Sequence, residues 1–593
     1  LALEQIDKVL AINSKHPDAW AYRSVIANLR NDQRGANFFR VGALSTWNKN
    51  PVVDYLIGRK LSQKYRFTEG ASHQKQALEF AAGYGPARVQ LTQDLLRLGR
   101  EEEGWKLGEE AHKADAYDVH LFNLMQLHDA ISKYRTLETD EFLIRMDARE
   151  AEIYGAEVQQ LLQRARKTLC EKYGLELKDQ ITVEIFAEPN DFAVRTFGMP
   201  AISGYLGVCF GKVITANSPA SQKDHPTNWQ SVLWHEFCHV VTLELTHNRM
   251  PRWLSEGISV YEERQANPAW GQRMTPVNRT RIMAGRLTPI RELSSAFLHP
   301  ETPADLNFAY YQSSLVVEHL IERYGLEKVK TVLKELATGL PLDAALERHL
   351  TTLEQIDEEF REYASQLARD LAPDLDWEKY DLSAIRDDDD PERLERWVAD
   401  HPTSIQGLTV LGSQFIERRE FVKAKPVLKK LIELYPEQLG QGSPYELLAA
   451  VHRELKETDD ERKVLEQYTG RSDSALAALL RLVELQTEAA DWAALRETSQ
   501  RLVAINPLLQ QTQKARSLAA EHLGDRDTAV LALQAMLQME PDDPAEIHYR
   551  LAMLLHETNN PRAKEHVLQA LETAPRYRDA QKLLLKIVRE NKK

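Results

Sequence analysis

The sequence predicts a mainly α protein, in which solenoids of paired helices flank a middle domain of α+β type. Three observations predict it. Prolines recur every 34 residues near both ends of the 593-residue chain. That spacing is lost between about Phe142 and Leu371. Inside that window short strand-like runs alternate with amphipathic helices, one of which carries two histidines four positions apart. The expected division is 1–138, 139–372 and 373–593, since one core rarely serves more than about 100–200 residues.

The arrays come first. Pro507, Pro541 and Pro575 are spaced by 34 and 34, and the pairs Pro402/Pro436 and Pro17/Pro51 keep the same interval. The step from Pro436 to Pro507 is 71, two periods plus three residues. Ala529 and Ala563 repeat at the same distance, where two helices of a pair cross closely and only a small residue fits. A proline ends the second helix of each pair because it lacks the N–H and clashes with the preceding turn. This pattern resembles the tetratricopeptide repeat, whose best copy here is DPAEIHYRLAMLLHETNNPRAKEHVLQALETAP at 543–575. Each pair exposes an apolar stripe that only a neighbouring pair covers, hence an array. The N-terminal array reads as degenerate: after Pro51 its phase survives as GYGPARVQL near Pro86 and ADAYDVHLFNL near Tyr117. The opening ALEQIDKVLAINSKHP reads as the second helix of a pair, so a fragment of a longer protein is expected, with any export signal cut away. A superhelix of this kind either presents a concave surface to a peptide or partner protein or supports the middle domain.

Composition narrows the function classes. Hydrophobic residues at 43% and charged residues at 28% describe a globular chain rather than a disordered one. No apolar run approaches the about 18 residues of a membrane span. A formal charge of −14 argues against non-specific nucleic-acid binding, which needs a basic face. Cys170, Cys209 and Cys238 are too few and scattered for a disulfide framework, and read as three buried thiols that do not set the redox compartment.

The middle segment opens with a strand at FLIRM, 142–146. The helix AEVQQLLQRARKTLCEKYG ends at Gly174, and a strand with alternating faces follows at ITVEIF, 181–186. SGYLGVCF and KVITA, joined near Gly211, suggest a hairpin or bent edge strands. A helix starts near Asn228, another carries LSEGISVYEER, and a third, FAYYQSSLVVEHLIERYG, stops at Gly325. The DDDD run at 387–390 and Pro391 read as a solvated linker or a helix start at the second boundary, and EF-hand spacing is absent there.

The chemistry is carried by HEFCH at 235–239. On a helix, residues i and i+4 share a face, so His235 and His239 present both imidazoles to one metal ion. Glu236 is one step round, within reach of a metal-bound water but not a ligand. Val232, Leu233, Phe237, Val240 and Val241 make this helix buried, and buried polar groups need partners. A zinc ion satisfies all three side chains; a hydrogen-bonded pair of core histidines is the plainer alternative. A metzincin-type third histidine would stand at Leu245, which excludes that class. Glu256 begins the next helix, WLSEGISVYEE, and a turn between the two helices returns its carboxylate to the metal. Such a His₂Glu set leaves the fourth position open for water, as a catalytic zinc requires.

HEFCH followed by WLSEGISVYEE, and later AYYQSSLVVEHLIERYG, resembles the peptidase-MA-like gluzincins over roughly 140–370. Bacterial members commonly carry flanking tetratricopeptide arrays. The resemblance implies that His235, His239 and Glu256 ligate Zn2+ and that Glu236 takes a proton from the attacking water and passes it to the leaving amine. It implies that Tyr310 donates a hydrogen bond to the tetrahedral oxyanion, with the adjacent Tyr311 left as the other choice. It implies an edge strand at Gly204, Tyr205, Leu206 and Gly207, along which an extended peptide substrate adds its backbone. It also points to a bacterial, exported protein, periplasmic or secreted. Two departures matter. The G-x-M-E-N segment with which the aminopeptidases hold a free amine is missing, which favours an endopeptidase or processing enzyme. The Asp that orients a zinc histidine in thermolysin-like relatives is replaced by Val260, leaving Glu263 as a candidate for that task. Cys238 is turned away from the histidines and packs. Two functions are therefore expected: a zinc metallopeptidase with arrays that recruit substrate or partners, or a catalytically quiet zinc scaffold acting through its repeats.

Overall fold

The computed structural model describes residues 2–222, 226–382, 385 and 392–590. Helices dominate from end to end, against one five-stranded sheet, so the fold is mainly α. Eight helices run from Ala2–Ile12 to Val119–Ile131 before the sheet begins. The first helices of their pairs start at Pro17, Pro51, Gly85 and Val119, and the second at Gln33, Phe67 and Glu101. The period of 34 therefore persists unbroken where the sequence reads as degenerate, because helix length and turn geometry hold it after the prolines have gone. Pro17 and Pro51 do not stop a helix here. They open the next one, where a missing N–H is no loss. Near the C-terminus Pro507, Pro541 and Pro575 lie in the connections after Ile505, Leu537 and Thr573, as expected. The extra residues between Pro436 and Pro507 fall in the 435–443 connection ahead of Pro444–Glu454.

The sheet has the order β1-β2-β3-β5-β4, with β1 at Arg135–Glu138, β2 at Phe142–Met146, β3 at Ile181–Phe186, β4 at Gly207–Cys209 and β5 at Val213–Asn217. β1 precedes the expected boundary at 139 and pairs antiparallel with β2. β2, β3 and β5 are parallel, and β4 returns antiparallel on β5 around Gly211. All six residues of β3 are buried, rather than alternating, because helices cover both faces. The long helix Ala148–Tyr173 and the helix Trp229–Thr246 cover one face, and Pro189–Phe197, backed by Val119–Ile131, covers the other. Glu184 on β3 is buried against Arg195 at 2.7 Å and reaches Arg145, which pairs with Glu101 of the N-terminal array.

The C-terminal array packs on the middle domain as well. Ala535 and Met539 belong to the same apolar core as Phe237 and Trp229. Arg516 pairs with Glu157 at 2.5 Å, and the Trp229 indole donates to the Val503 carbonyl at 2.7 Å. The 387–390 run and Pro391 lie outside the described residues. No helix among the described residues is long and apolar enough to cross a membrane.

Candidate metal centre

Two helices build the centre. The motif helix Trp229–Thr246 is capped by Asn228, whose side chain accepts from the amides of Gln230 and Ser231, and it ends where His247 turns left-handed at φ 50°. Leu233, Phe237, Val240 and Val241 are buried in the core. Each side chain of that size contributes about 1.5–3 kcal/mol, which offsets the burial of the ionisable groups beside them. The ligand helix Arg252–Ala266 follows after five residues. Its Glu262 accepts from Tyr173 at 2.7 Å and pairs with Lys172, tying it to the end of the long helix.

His235 Nε2, His239 Nε2 and Glu256 Oε2 converge. The two nitrogens are 3.1 Å apart, and each is 3.3 Å from the carboxylate oxygen. The other ring nitrogens are occupied: His235 Nδ1 by Glu263 at 2.5 Å, and His239 Nδ1 by Ser255 at 2.9 Å and Ser259 at 3.2 Å. Glu263 is held in turn by the Ser231 hydroxyl at 2.8 Å. The carboxylates favour a positive charge at the meeting point. Burial lowers the His235 imidazole, but the charge of Glu263 and the hydrogen bonds of Glu256 and Glu263 carry it well above its ordinary range. Glu256 is held well below its own, since the bonds from both histidines override the effect of burial. A divalent cation fits this donor set: it would supply the positive charge in place of protons, and with each Nδ1 occupied, by Glu263 or by two hydroxyls, both Nε2 atoms are left to face the meeting point.

Glu236 is 6% exposed, and its Oε2 has no hydrogen-bond partner. Burial and the charges of Glu256 and Glu263 raise its carboxyl, against the two histidines. Gly207 lies directly against it: a Cβ there would stand 2.8 Å from Glu236 Cγ. Of the four expected edge residues, only Gly207 belongs to a strand. Gly204 (φ +92°), Tyr205 and Leu206 precede β4 as an exposed approach, because the ladder on β5 ends at Ala216. β4 is the edge of the sheet.

The tyrosines part company. Both lie on the helix Pro303–Tyr324, but Tyr310 faces Arg252 and feels Glu256, whereas Tyr311 is buried toward Arg264 and Glu318. Arg252 is a residue the sequence reading missed. Its guanidinium lies against the Tyr310 hydroxyl and donates to Glu256 Oε1 at 3.2 Å. The i,i+4 spacing of Arg252 and Glu256 was the available signal. Cys238 and Cys209 are buried, while Cys170 is half-buried rather than fully so.

Residues 162–363 match the Peptidase MA superfamily. The chain thus carries a peptidase MA domain set among tetratricopeptide-like helical repeats. Solved structures similar to parts or all of it include YrrB, described as a tetratricopeptide protein with an unusual peptide-binding site, at 14% identity over 32% of this chain and 97% of that one, TM-score 0.25. Others are the APC/C hetero-tetramer Cut9-Hcn1, at 13% over 99% and 92%, TM-score 0.20, and yeast Tom70, at 9% over 98% and 97%, TM-score 0.21. Scores this low carry no argument about function. No curated protein matches.

Proposed function

We propose that this protein is a zinc-dependent peptidase of gluzincin type, an endopeptidase or processing enzyme with its peptidase unit at 139–372 between arrays at 1–138 and 373–593. The observation that carries the reading is the convergence of three donor atoms whose own rings and helices are anchored from behind. His235, His239 and Glu256 would hold the zinc, which supplies Lewis acidity to the scissile carbonyl and to the attacking water. Glu236, raised by burial and without a partner, takes the proton of that water as oxygen adds to the carbonyl carbon. It returns the proton to the amine nitrogen as the C–N bond breaks. Tyr310, kept protonated by burial and by Glu256, donates to the developing oxyanion. The peptide lies extended against β4, where Gly207 leaves room beside Glu236. The arrays recruit a protein substrate or partner.

The test is cleavage of a diverse peptide library by zinc-loaded protein beside Glu236→Gln, scored by mass spectrometry. Cuts by the wild type that the variant does not make support the peptidase. No cuts by either, with stoichiometric zinc in both, overturn it and leave the scaffold.

A further inference from the structure

Three turns of the N-terminal array run along the middle domain, at Asn31, Tyr65 and Gly99, spaced 34 residues apart. Each joins the two helices of a pair and is left-handed, with φ of 59°, 63° and 74°. The turn is a property of the repeat, since Arg419, Lys456, Ala490 and Asn559 adopt it in the C-terminal array. Asn31 donates to the Gly339 carbonyl at 2.9 Å and accepts from Arg249 at 3.2 Å. At Tyr65 the backbone carbonyl accepts from Asn248 at 3.0 Å, in the segment that joins the motif helix to the ligand helix. A Cβ at Gly99 would stand 3.6 Å from Val213 Cγ2 of β5. The array is therefore fastened to the loop that sets the distance between HEFCH and Glu256.

Tyr65 differs from its equivalents in carrying a large ring. That ring stacks on Phe210, the residue after β4, with centroids 6.1 Å apart and planes at 28°. Phe67 meets Phe210 edge-on at 5.8 Å, and Arg97 lies over both rings at 5.6 and 5.3 Å before donating to the Thr196 carbonyl. Phe67 and Phe210 are buried at 1% and 5% exposure, whereas Tyr65 stays 37% exposed. The outermost ring of this stack thus remains open beside the edge strand.

We infer that Tyr65, a residue of the repeat array, completes the wall of the catalytic cleft and positions the substrate by donating its hydroxyl to the peptide backbone laid against β4. This rests on the peptidase reading and adds that the site is unfinished without the array. The electrostatics agree: the part-buried position of the side chain and the charges of Glu256 and Glu236 hold the hydroxyl protonated as a donor, with Arg252 acting in the opposite sense. The resemblance to peptidase MA begins at residue 162, so nothing in that family match requires a residue at 65.

The test uses the full zinc-loaded chain with Tyr65→Phe, which keeps the stack and removes only the hydroxyl, and Tyr65→Ala, which removes both. The probe is a short peptide hydroxamate, whose binding is read by calorimetry and does not depend on turnover. Loss of one hydrogen bond predicts about three- to tenfold weaker hydroxamate binding by Tyr65→Phe. KM for any library peptide that the wild type cleaves should rise by the same factor, with kcat nearly unchanged. Thermal midpoint and zinc content should match the wild type. Unchanged hydroxamate binding and unchanged KM in both variants would overturn the inference. A wild type that binds hydroxamate but cleaves nothing overturns the peptidase reading instead, and the binding arm still decides Tyr65.

Discussion

Glu263 Oε1 lies 2.5 Å from Nδ1 of His235, on the same helix that presents Glu256 to Nε2 of that ring. One helix therefore addresses both nitrogens of one imidazole: Glu256, in its second turn, meets Nε2, and Glu263, in its last, meets Nδ1. Seven residues separate the two glutamates, close to two helical turns, which puts them on one stripe.

The two glutamates should fail differently. On the proposed reading Glu256→Ala removes a ligand and should abolish stoichiometric zinc. Glu263→Ala leaves all three ligands but frees the His235 ring and the Ser231 hydroxyl. It should weaken zinc by about 10–100-fold, read by competition with a chromogenic chelator. Wild-type affinity in Glu256→Ala would remove it from the ligand set, and in Glu263→Ala would reduce that contact to packing.

Gly257 follows Glu256 where the helix Arg252–Ala266 packs against Pro303–Tyr324. A Cβ there would stand 2.5 Å from the Ser313 carbonyl oxygen and 2.8 Å from its carbon, both backbone atoms. Gly257→Ala should force the helices apart and destabilise the protein by about 1–3 kcal/mol, lowering the thermal midpoint. It should also slow turnover, because Tyr310 rides on the displaced helix. An unchanged melt would show that the helices yield freely.

Asp94, in the N-terminal array, supplies a pH test. It is fully buried in the N-terminal array, accepts from Ser62 at 2.8 Å and Gln90 at 2.9 Å, and is pushed up to about 7 by burial. The folded chain thus holds this proton more tightly than the unfolded one, whose carboxyl keeps the ordinary 3.8. Stability from this group is complete below the lower value and is lost as pH rises toward about 7. Asp94→Asn should therefore be more stable than the wild type at pH about 8, by at most about 4 kcal/mol, with the gain vanishing near pH about 4. Melts at both pH values check it; equal differences at the two would place the carboxyl outside the titrating set.

Local pattern carried much of this molecule into view. A 3.6-residue turn forces two histidines four apart onto one face, whatever surrounds them, and a 34-residue period forces stacked helical pairs. Gly174 and Gly325 end helices because each backbone there takes positive φ. The strand RTLE before Phe142 and the helix Pro189–Phe197 escaped notice, since four residues and nine give little periodicity to read. The edge strand came out shorter than its apolar run, because its ladder on β5 stops at the Gly207–Ala216 pair rather than where hydrophobicity does. Which tyrosine turns toward Arg252 and the arrival of Tyr65 beside an edge strand about 140 residues further along the chain were settled only by folding. Those contacts join segments with no shared period, so no local preference encodes them. They exist because two helical arrays and a sheet bury their remaining apolar faces against one another, and that packing brings distant segments together.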